Sequence, residues 1–252
     1  AEGNMLQIIV FALLFGTFIT RLPEAQRKPL ESIFTSAFAV MMKLTHFILS
    51  FAPLGIFALV GRTVARTGID VFAGLGIYAL TVLLGLLIHA CVTLPILLSV
   101  LGRLRPHIHA QAMSPALLTA FSTSSSSATL PLTLDCLENR AGVSNRVTSF
   151  VAPLGATVNM DGTALYECVA ALFIAQAYGV ELSILQQGLV VVTALLASIG
   201  AAGIPMAGLV MISVILTAVG LPLEGVGLIL AVDRVLDMCR TTVNVWSDTC
   251  GA

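Results

Sequence analysis

Charge is what this chain is short of. Charged residues make up 10% of its 252 positions, against roughly 25% in a soluble domain. Hydrophobic residues make up 58%, and mean hydropathy is +1.01. That shortage excludes an ordinary soluble domain and leaves an integral membrane protein. The net charge of −1 selects no partner, and no basic patch with interleaved aromatics occurs, so nucleic acid is excluded. Cysteine is sparse: Cys91, Cys136, Cys168, Cys239 and Cys250 are odd in number and form no C-x-x-C pair. They read as small apolar residues in helices. His46, His89, His107 and His109 lack metal-ligand spacing, and His107 and His109 follow Pro106 in what reads as a solvated loop. H-E-x-x-H, G-x-S-x-G and P-loop motifs are missing, so neither enzyme chemistry nor a cofactor is indicated. The apolar run over residues 5–20 has no basic leader or cleavage motif and reads as a membrane helix, not a signal peptide.

The charge that is present gathers. Asp233, Asp237, Arg240, Asn244 and Asp248 recur at spacings of four, three, four and four, one stripe of a helix. Leu228, Ile229, Leu230, Val232, Val235, Leu236, Val243 and Val245 surround them. Ionisable groups in such a setting are costly and mark cavities that handle ions or substrate. A satisfied polar seam between packed helices is the plainer alternative.

Residues 5–20 suit a short or tilted span. A polar connector follows over 21–28, flanked by Pro29. The segment 30–66 begins amphipathic and continues apolar over 47–60, interrupted at 52–55. Residues 72–102 predict one long apolar helix. Residues 113–135 are too polar in the middle for a simple span, because serines and one threonine fill 122–127 between apolar flanks. A linker is the ordinary meaning of a serine run. Apolar flanks and Pro131 favour a re-entrant hairpin, whose non-helical tip is tolerated only where it lines a cavity or is buried in protein. Residues 146–178 predict a span broken at 159–163. Residues 184–219 predict a second hairpin with a soft centre over 198–205, and 223–252 the striped helix.

At an offset of 74, Thr119 and Ala120 map on Thr193 and Ala194, Pro131 on Pro205, and Asn159 on Asp233. This suggests a duplicated hairpin-plus-helix unit, and paired interrupted segments point to a transporter site near the midplane. If both hairpins re-enter, Arg21, Arg27, Lys28, Arg103, Arg105, Arg140 and Arg146 share one side, and Arg62 and Arg66 the other. The positive-inside rule then places the serine hairpin on the cytoplasmic side and the second hairpin outside.

These motifs resemble a known family. The serine run, Asn159-Met160-Asp161-Gly162-Thr163, Gly203-Ile204-Pro205, and Asp237-x-x-Arg240-Thr241-x-x-Asn244 are similar to those of the dicarboxylate/amino acid:cation symporters. That family includes the excitatory amino-acid transporters and archaeal aspartate transporters. The resemblance implies an all-α membrane fold with two re-entrant helical hairpins, broken helices and inverted hairpin-plus-helix repeats. It implies that the chain starts near the end of the family's fourth span, as a fragment of a longer protein. Residues 1–70 would be partial scaffold, the end of the fourth span and the fifth. Residues 71–252 would be the transport core: sixth span, hairpin 1 at about 113–135, seventh span at 146–178, hairpin 2 at 184–219 and eighth span at 223–252.

The resemblance also implies roles. Arg240 would bind the side-chain carboxylate of an acidic substrate and Asp237 its amino group. Asn244, Ser125 and Ser126 would hold the main carboxylate, with Thr163, Thr241, Ile204 and Gly208 lining the same pocket. One sodium site would use Gly155, Asn159, Asn244 and Asp248, supported by Asp233. A second would use Thr157, Ser198, Ile199 and Ala201. Asn159 and Asp161 would form part of a third, completed by a third span not in this chain. Glu167 occupies a position that the excitatory transporters use for proton symport and potassium antiport, and a buried carboxyl can carry a proton. A second arginine common in the family is replaced here by Ser124 or Met238, and Arg234, one turn before Asp237 and Met238, is the candidate substitute.

The implied protein is a homotrimeric, multi-pass transporter of the plasma or inner membrane. It would couple acidic amino-acid uptake to sodium and protons by elevator-type alternating access. A C4-dicarboxylate carrier of the same family is the nearest rival. An ion channel lacks a specified pore, and an intramembrane aspartyl protease lacks G-x-G-D.

Overall fold

The computed structural model describes residues 5–49, 51, 54, 57, 71–201, 203 and 205–252. Among them every regular element is helical. The chain divides into two units, Ala1–Arg66 and Thr67–Ala252.

The first unit holds α1, Met5–Ile19, and α2, Glu24–Leu49. Helix α2 opens on two i,i+4 ion pairs, Lys28–Glu24 at 2.7 Å and Arg27–Glu31 at 3.2 Å, each worth a few tenths of a kcal/mol. Phe15 meets Phe34 edge-on and ties α1 to α2. With 15 residues, α1 is about 22 Å long, short of a hydrocarbon core of about 30 Å. Most of the apolar stretch expected over 47–60, with Arg62 and Arg66, lies outside the described residues.

The second unit begins with α3, Val71–Ile88, which passes through a π turn, His89–Thr93, into α4, Leu94–Val100. Pro95 explains the turn. In the widened pairing Leu94 N–H donates to the His89 carbonyl, and Pro95 has no N–H for the Ala90 carbonyl. The Trp246 indole supplies that missing donor at 3.1 Å. The stretch Gly74–Val100 is long and apolar enough to cross a membrane and is mostly exposed; Asn145–Ala177 also qualifies and is more buried.

Helices α5, Pro106–Thr123, and α6, Ser126–Asp135, form a hairpin. Ser124 takes a left-handed conformation, and the Ser125 hydroxyl accepts the Ala128 N–H at 3.1 Å, capping α6. Short hydroxyl side chains can substitute for backbone in this way, so the serine run ends one helix and starts another. Its first arm starts earlier than expected. His107 and His109 therefore lie in the opening turns of α5, not in a loop. His107 is exposed, but His109 is buried against Trp246, with ring centroids 5.4 Å apart.

Helices α7, Asn145–Val158, and α8, Asp161–Ala177, are separated by Asn159 and Met160, a narrower break than 159–163. Helix α9, Ile184–Gly200, starts on a capping box of Ser183 and Gln186. A turn containing left-handed Met206 leads to α10, Ala207–Val219. Helix α11, Val226–Gly251, is unbroken. Hairpin then long helix thus occurs twice, but the offset of 74 does not superimpose the turns. It carries Ser124 and Ser125 onto Ser198 and Ile199, still inside α9, and Pro131 within α6 onto Pro205 within the second turn. The arms differ in length, and only the first long helix is broken.

Helix α11 packs against α3, α4, α5, α6, α7, α8 and α10. Enclosure on several sides buries its polar stripe: Asp233, Asp237, Arg240, Asn244 and Asp248 are all 4% exposed or less.

Candidate functional site

The two hairpin turns meet over the middle of α11. Ser125 Oγ donates to the Gly203 carbonyl at 2.7 Å, and Ser127 N–H donates to the same oxygen at 3.2 Å. Beneath this contact a cavity of about 10 Å³ lies among Ser126, Thr163, Gly208, Asp237, Arg240, Thr241 and Asn244. That is room for about one water molecule. Seven of the nine residues expected around a substrate therefore converge. Ser125 belongs to the turn contact above them, and Ile204 lies outside the described residues.

Arg240 is fixed from several directions. Its Nε and Nη2 donate to Asp237 Oδ1 at 3.0 and 2.8 Å, while Asp237 Oδ2 accepts the Met206 N–H at 2.9 Å. The guanidinium lies 4.3 Å from the centroid of the Tyr166 ring, and the Tyr166 hydroxyl donates to Asp233 Oδ1 at 2.5 Å. A Cβ at Gly208 would overlap the guanidinium. Burying a lone guanidinium would be prohibitive, and the carboxylate and ring make it tolerable. Nη1 is buried with no hydrogen-bond partner among the described residues, so its two N–H donors remain for a ligand. Tyr166 and the Met206 N–H were not among the expected site residues. Position directly before Glu167 on the broken helix was the available signal for Tyr166.

A second polar cluster forms where the α7–α8 break passes α11. Asn159 Nδ2 donates to Asp248 Oδ1 at 3.1 Å and to Ser247 Oγ at 3.0 Å. A Cβ on Gly155 would stand 2.6 Å from Asp248 Oδ1, so the carboxylate rests against bare backbone. Asn244 exchanges two bonds with Thr163: its Nδ2 donates to Oγ1 at 2.9 Å, and its Oδ1 accepts the N–H at 3.2 Å. Unwound backbone and a carboxylate offer the oxygen donors a hard cation prefers. The second expected set is less convergent. Thr157 is exposed and Ser198 buried, and each hydroxyl donates to its own helix, at Leu154 O 3.0 Å and Leu195 O 2.9 Å. Ile199 is half-buried and Ala201 buried at the end of α9, which packs on α7. Asp161 is already engaged: Oδ1 accepts the Gly162 N–H at 2.8 Å, and Oδ2 faces His89 Nε2 at 2.6 Å. Nothing local to either residue signals that histidine.

The whole chain, residues 1–252, matches the sodium:dicarboxylate symporter family. The chain belongs to that family. It is similar to excitatory amino acid transporter 1 of Bos taurus, 49% identical over 251 residues, which cover 99% of this chain and 46% of that protein. It is 48% identical to the Homo sapiens protein of the same name over the same shares. Against excitatory amino acid transporter 3 of Oryctolagus cuniculus the identity is 49% over 249 residues, 98% of this chain and 47% of the relative. The chain thus spans about half the length of the curated relatives it matches. The chain is therefore an integral membrane protein of a transporter family, not an enzyme.

One expectation is corrected. Asp233 does not support Asp248. Fifteen residues of one unbroken helix, about four turns, separate them, and Asp233 instead accepts the Tyr166 hydroxyl. Arg234 is exposed and has no ion pair among the described residues, while Asp237 is bound by Arg240 and Met206. Glu167 is fully buried, and neither carboxyl oxygen has a hydrogen-bond partner among the described residues.

Proposed function

We propose that the chain forms the transport core of a sodium-coupled symporter for an acidic amino acid, aspartate or glutamate. The supporting observation is the buried Arg240–Asp237 pair beneath two touching turns. The guanidinium fork suits a ligand's side-chain carboxylate, and the aspartate suits its amine, so one zwitterion bearing an extra carboxylate answers both. Asn244, Ser125 and Ser126 would hold its main carboxylate, with Thr163, Thr241, Ile204 and Gly208 lining the same pocket. A cavity of about 10 Å³ does not hold such a ligand, so binding requires the turns to part and Arg240 to exchange Asp237 for the ligand.

Sodium is the coupling ion in this reading. Gly155, Asn159, Asn244 and Asp248 supply one set of oxygens; Thr157, Ser198, Ile199 and Ala201 a second; and Asn159 and Asp161 part of a third. Glu167 carries a proton. The hairpins α5–α6 and α9–α10 re-enter from opposite faces, the latter as outer gate. Residues 71–252 move as an elevator against a scaffold that includes residues 1–70, in a homotrimer.

The test is uptake of labelled aspartate by the full-length protein in liposomes, with external sodium, pH and internal potassium varied separately. Uptake should vanish without sodium; uptake indifferent to sodium overturns the reading. The family description favours a second reading, a C4-dicarboxylate carrier. Competition by succinate as strong as by glutamate would establish it.

A further inference from the structure

We propose that His109 and Trp246 form an acid-sensitive clasp. It holds the first arm of the serine hairpin against α11 while His109 is neutral, and releases that arm when His109 takes up a proton. The proposal is independent of the substrate assigned above.

His109 lies in the opening turn of α5 and Trp246 near the end of α11. They are 7% and 6% exposed, with ring centroids 5.4 Å apart. This chain's own helices enclose both rings, so their burial needs no further segment of a longer protein. Trp246 is held in turn, because its indole donates to the Ala90 carbonyl. His109 is less well provided for. The Thr249 backbone offers it one acceptor, and Nε2 is buried with no hydrogen-bond partner among the described residues. A neutral imidazole has one N–H to place, which matches that single acceptor, whereas an imidazolium has two. Protonation leaves a charged donor buried and unpaired, a cost relieved when the arm moves and the ring reaches water.

No acid offsets that cost, since no ion pair to His109 occurs among the described residues. Helix α5 packs chiefly against α4, α6, α11 and the π turn Cys136–Arg140. Helix α4 carries no ionisable group. On α11, the ionisable residues closest in sequence to Trp246 and Thr249 are Asp248, which accepts from Asn159, and part-buried Cys250. On α6, Asp135 accepts from Asn139. In the π turn, Glu138 accepts from Asn145 and Thr148, beside buried Cys136 and exposed Arg140. His89, next to Ala90, faces Asp161. On α5 itself His107 is exposed, and Arg105, four residues before His109, adds charge of the same sign as an imidazolium.

Trp246 is the chain's only tryptophan, so it reports on its own partner. The full-length protein, with Trp246 as its sole retained tryptophan, is placed in nanodiscs, where both faces meet the buffer. It is titrated from about pH 8 to about pH 4.5, and circular dichroism follows its helix content. An imidazolium quenches a neighbouring indole. At constant helix content, Trp246 emission should fall in a one-proton transition, with the ratio of protonated to neutral form changing about tenfold per pH unit. Acrylamide should gain access to Trp246 over the same range, as the arm leaves. His109→Phe, which keeps a ring in place, and His109→Gln should both lose the transition, while Glu167→Gln keeps it. Emission and acrylamide access that stay constant in the unaltered protein overturn the proposal. Quenching with no gain in acrylamide access does so too, because His109 then titrates without releasing the arm, and so does a transition that survives in both His109 variants.

Discussion

Replacing Gly208 by alanine tests how Arg240 is held. Gly208 is the second residue of α10, and an added Cβ there overlaps the Arg240 guanidinium. The neighbouring backbone would not have to move, because the atoms in the way end a long side chain. The guanidinium, however, is held by Asp237 and Tyr166, so moving it breaks those contacts. Leaving the aromatic face costs about 0.5–2 kcal/mol, and a misaligned charge-assisted hydrogen bond to a ligand about 1.5–3 kcal/mol. A combined loss of about 2–5 kcal/mol raises the KM for aspartate at least roughly 30-fold. The assay is sodium-driven uptake by the full-length protein in proteoliposomes, alongside its thermal unfolding midpoint. Gly76→Ala is the control, because a Cβ there meets nothing within 4 Å. An aspartate KM within twofold of wild type in folded Gly208→Ala protein would show that the arginine does not read the side-chain carboxylate from this position.

Gly155→Ala pushes a Cβ against Asp248 and should raise the sodium concentration for half-maximal uptake about tenfold, which a sodium titration at fixed aspartate reads directly. Glu167→Gln should leave aspartate binding intact while flattening the pH profile of uptake; a wild-type profile in the variant refutes a proton on Glu167. Arg234→Gln should leave aspartate uptake within twofold, because Arg234 is exposed and Asp237 is bonded elsewhere. A large loss there would revive the second-arginine role. Trp246→Phe removes the donor to the Ala90 carbonyl and should destabilise the folded protein by about 1–3 kcal/mol in chemical denaturation.

What the sequence revealed follows from which interactions are local. The four-three-four-four spacing put Asp237, Arg240 and Asn244 on one face, and the serine run marked a turn, because caps and turns are written in neighbouring residues. The same stripe misled over Asp233. A shared face does not put two residues at one depth, and fifteen residues of unbroken helix set Asp233 about four turns from Asp248. The burial of His109 depends on Trp246, and the bond from His89 to Asp161 joins α8 to the π turn; both partners come from distant segments. The π turn needed two facts together, a proline and an indole supplied by α11. The constant offset of 74 does not carry one turn onto the other because the arms of the two hairpins differ in length. Sequence register is then lost while order persists.

The Gly203 carbonyl oxygen receives two donors from the opposite hairpin, the Ser125 hydroxyl and the Ser127 N–H. A net value of about 0.5–1.5 kcal/mol each makes separation of the turns cost about 1–3 kcal/mol. On this contact alone, roughly one molecule in seven to one in two hundred would have its turns apart at any instant. Thermal fluctuation then suffices to part this contact, and a ligand that bridges both turns shifts the balance toward closure by the difference between its affinities for the closed and open states.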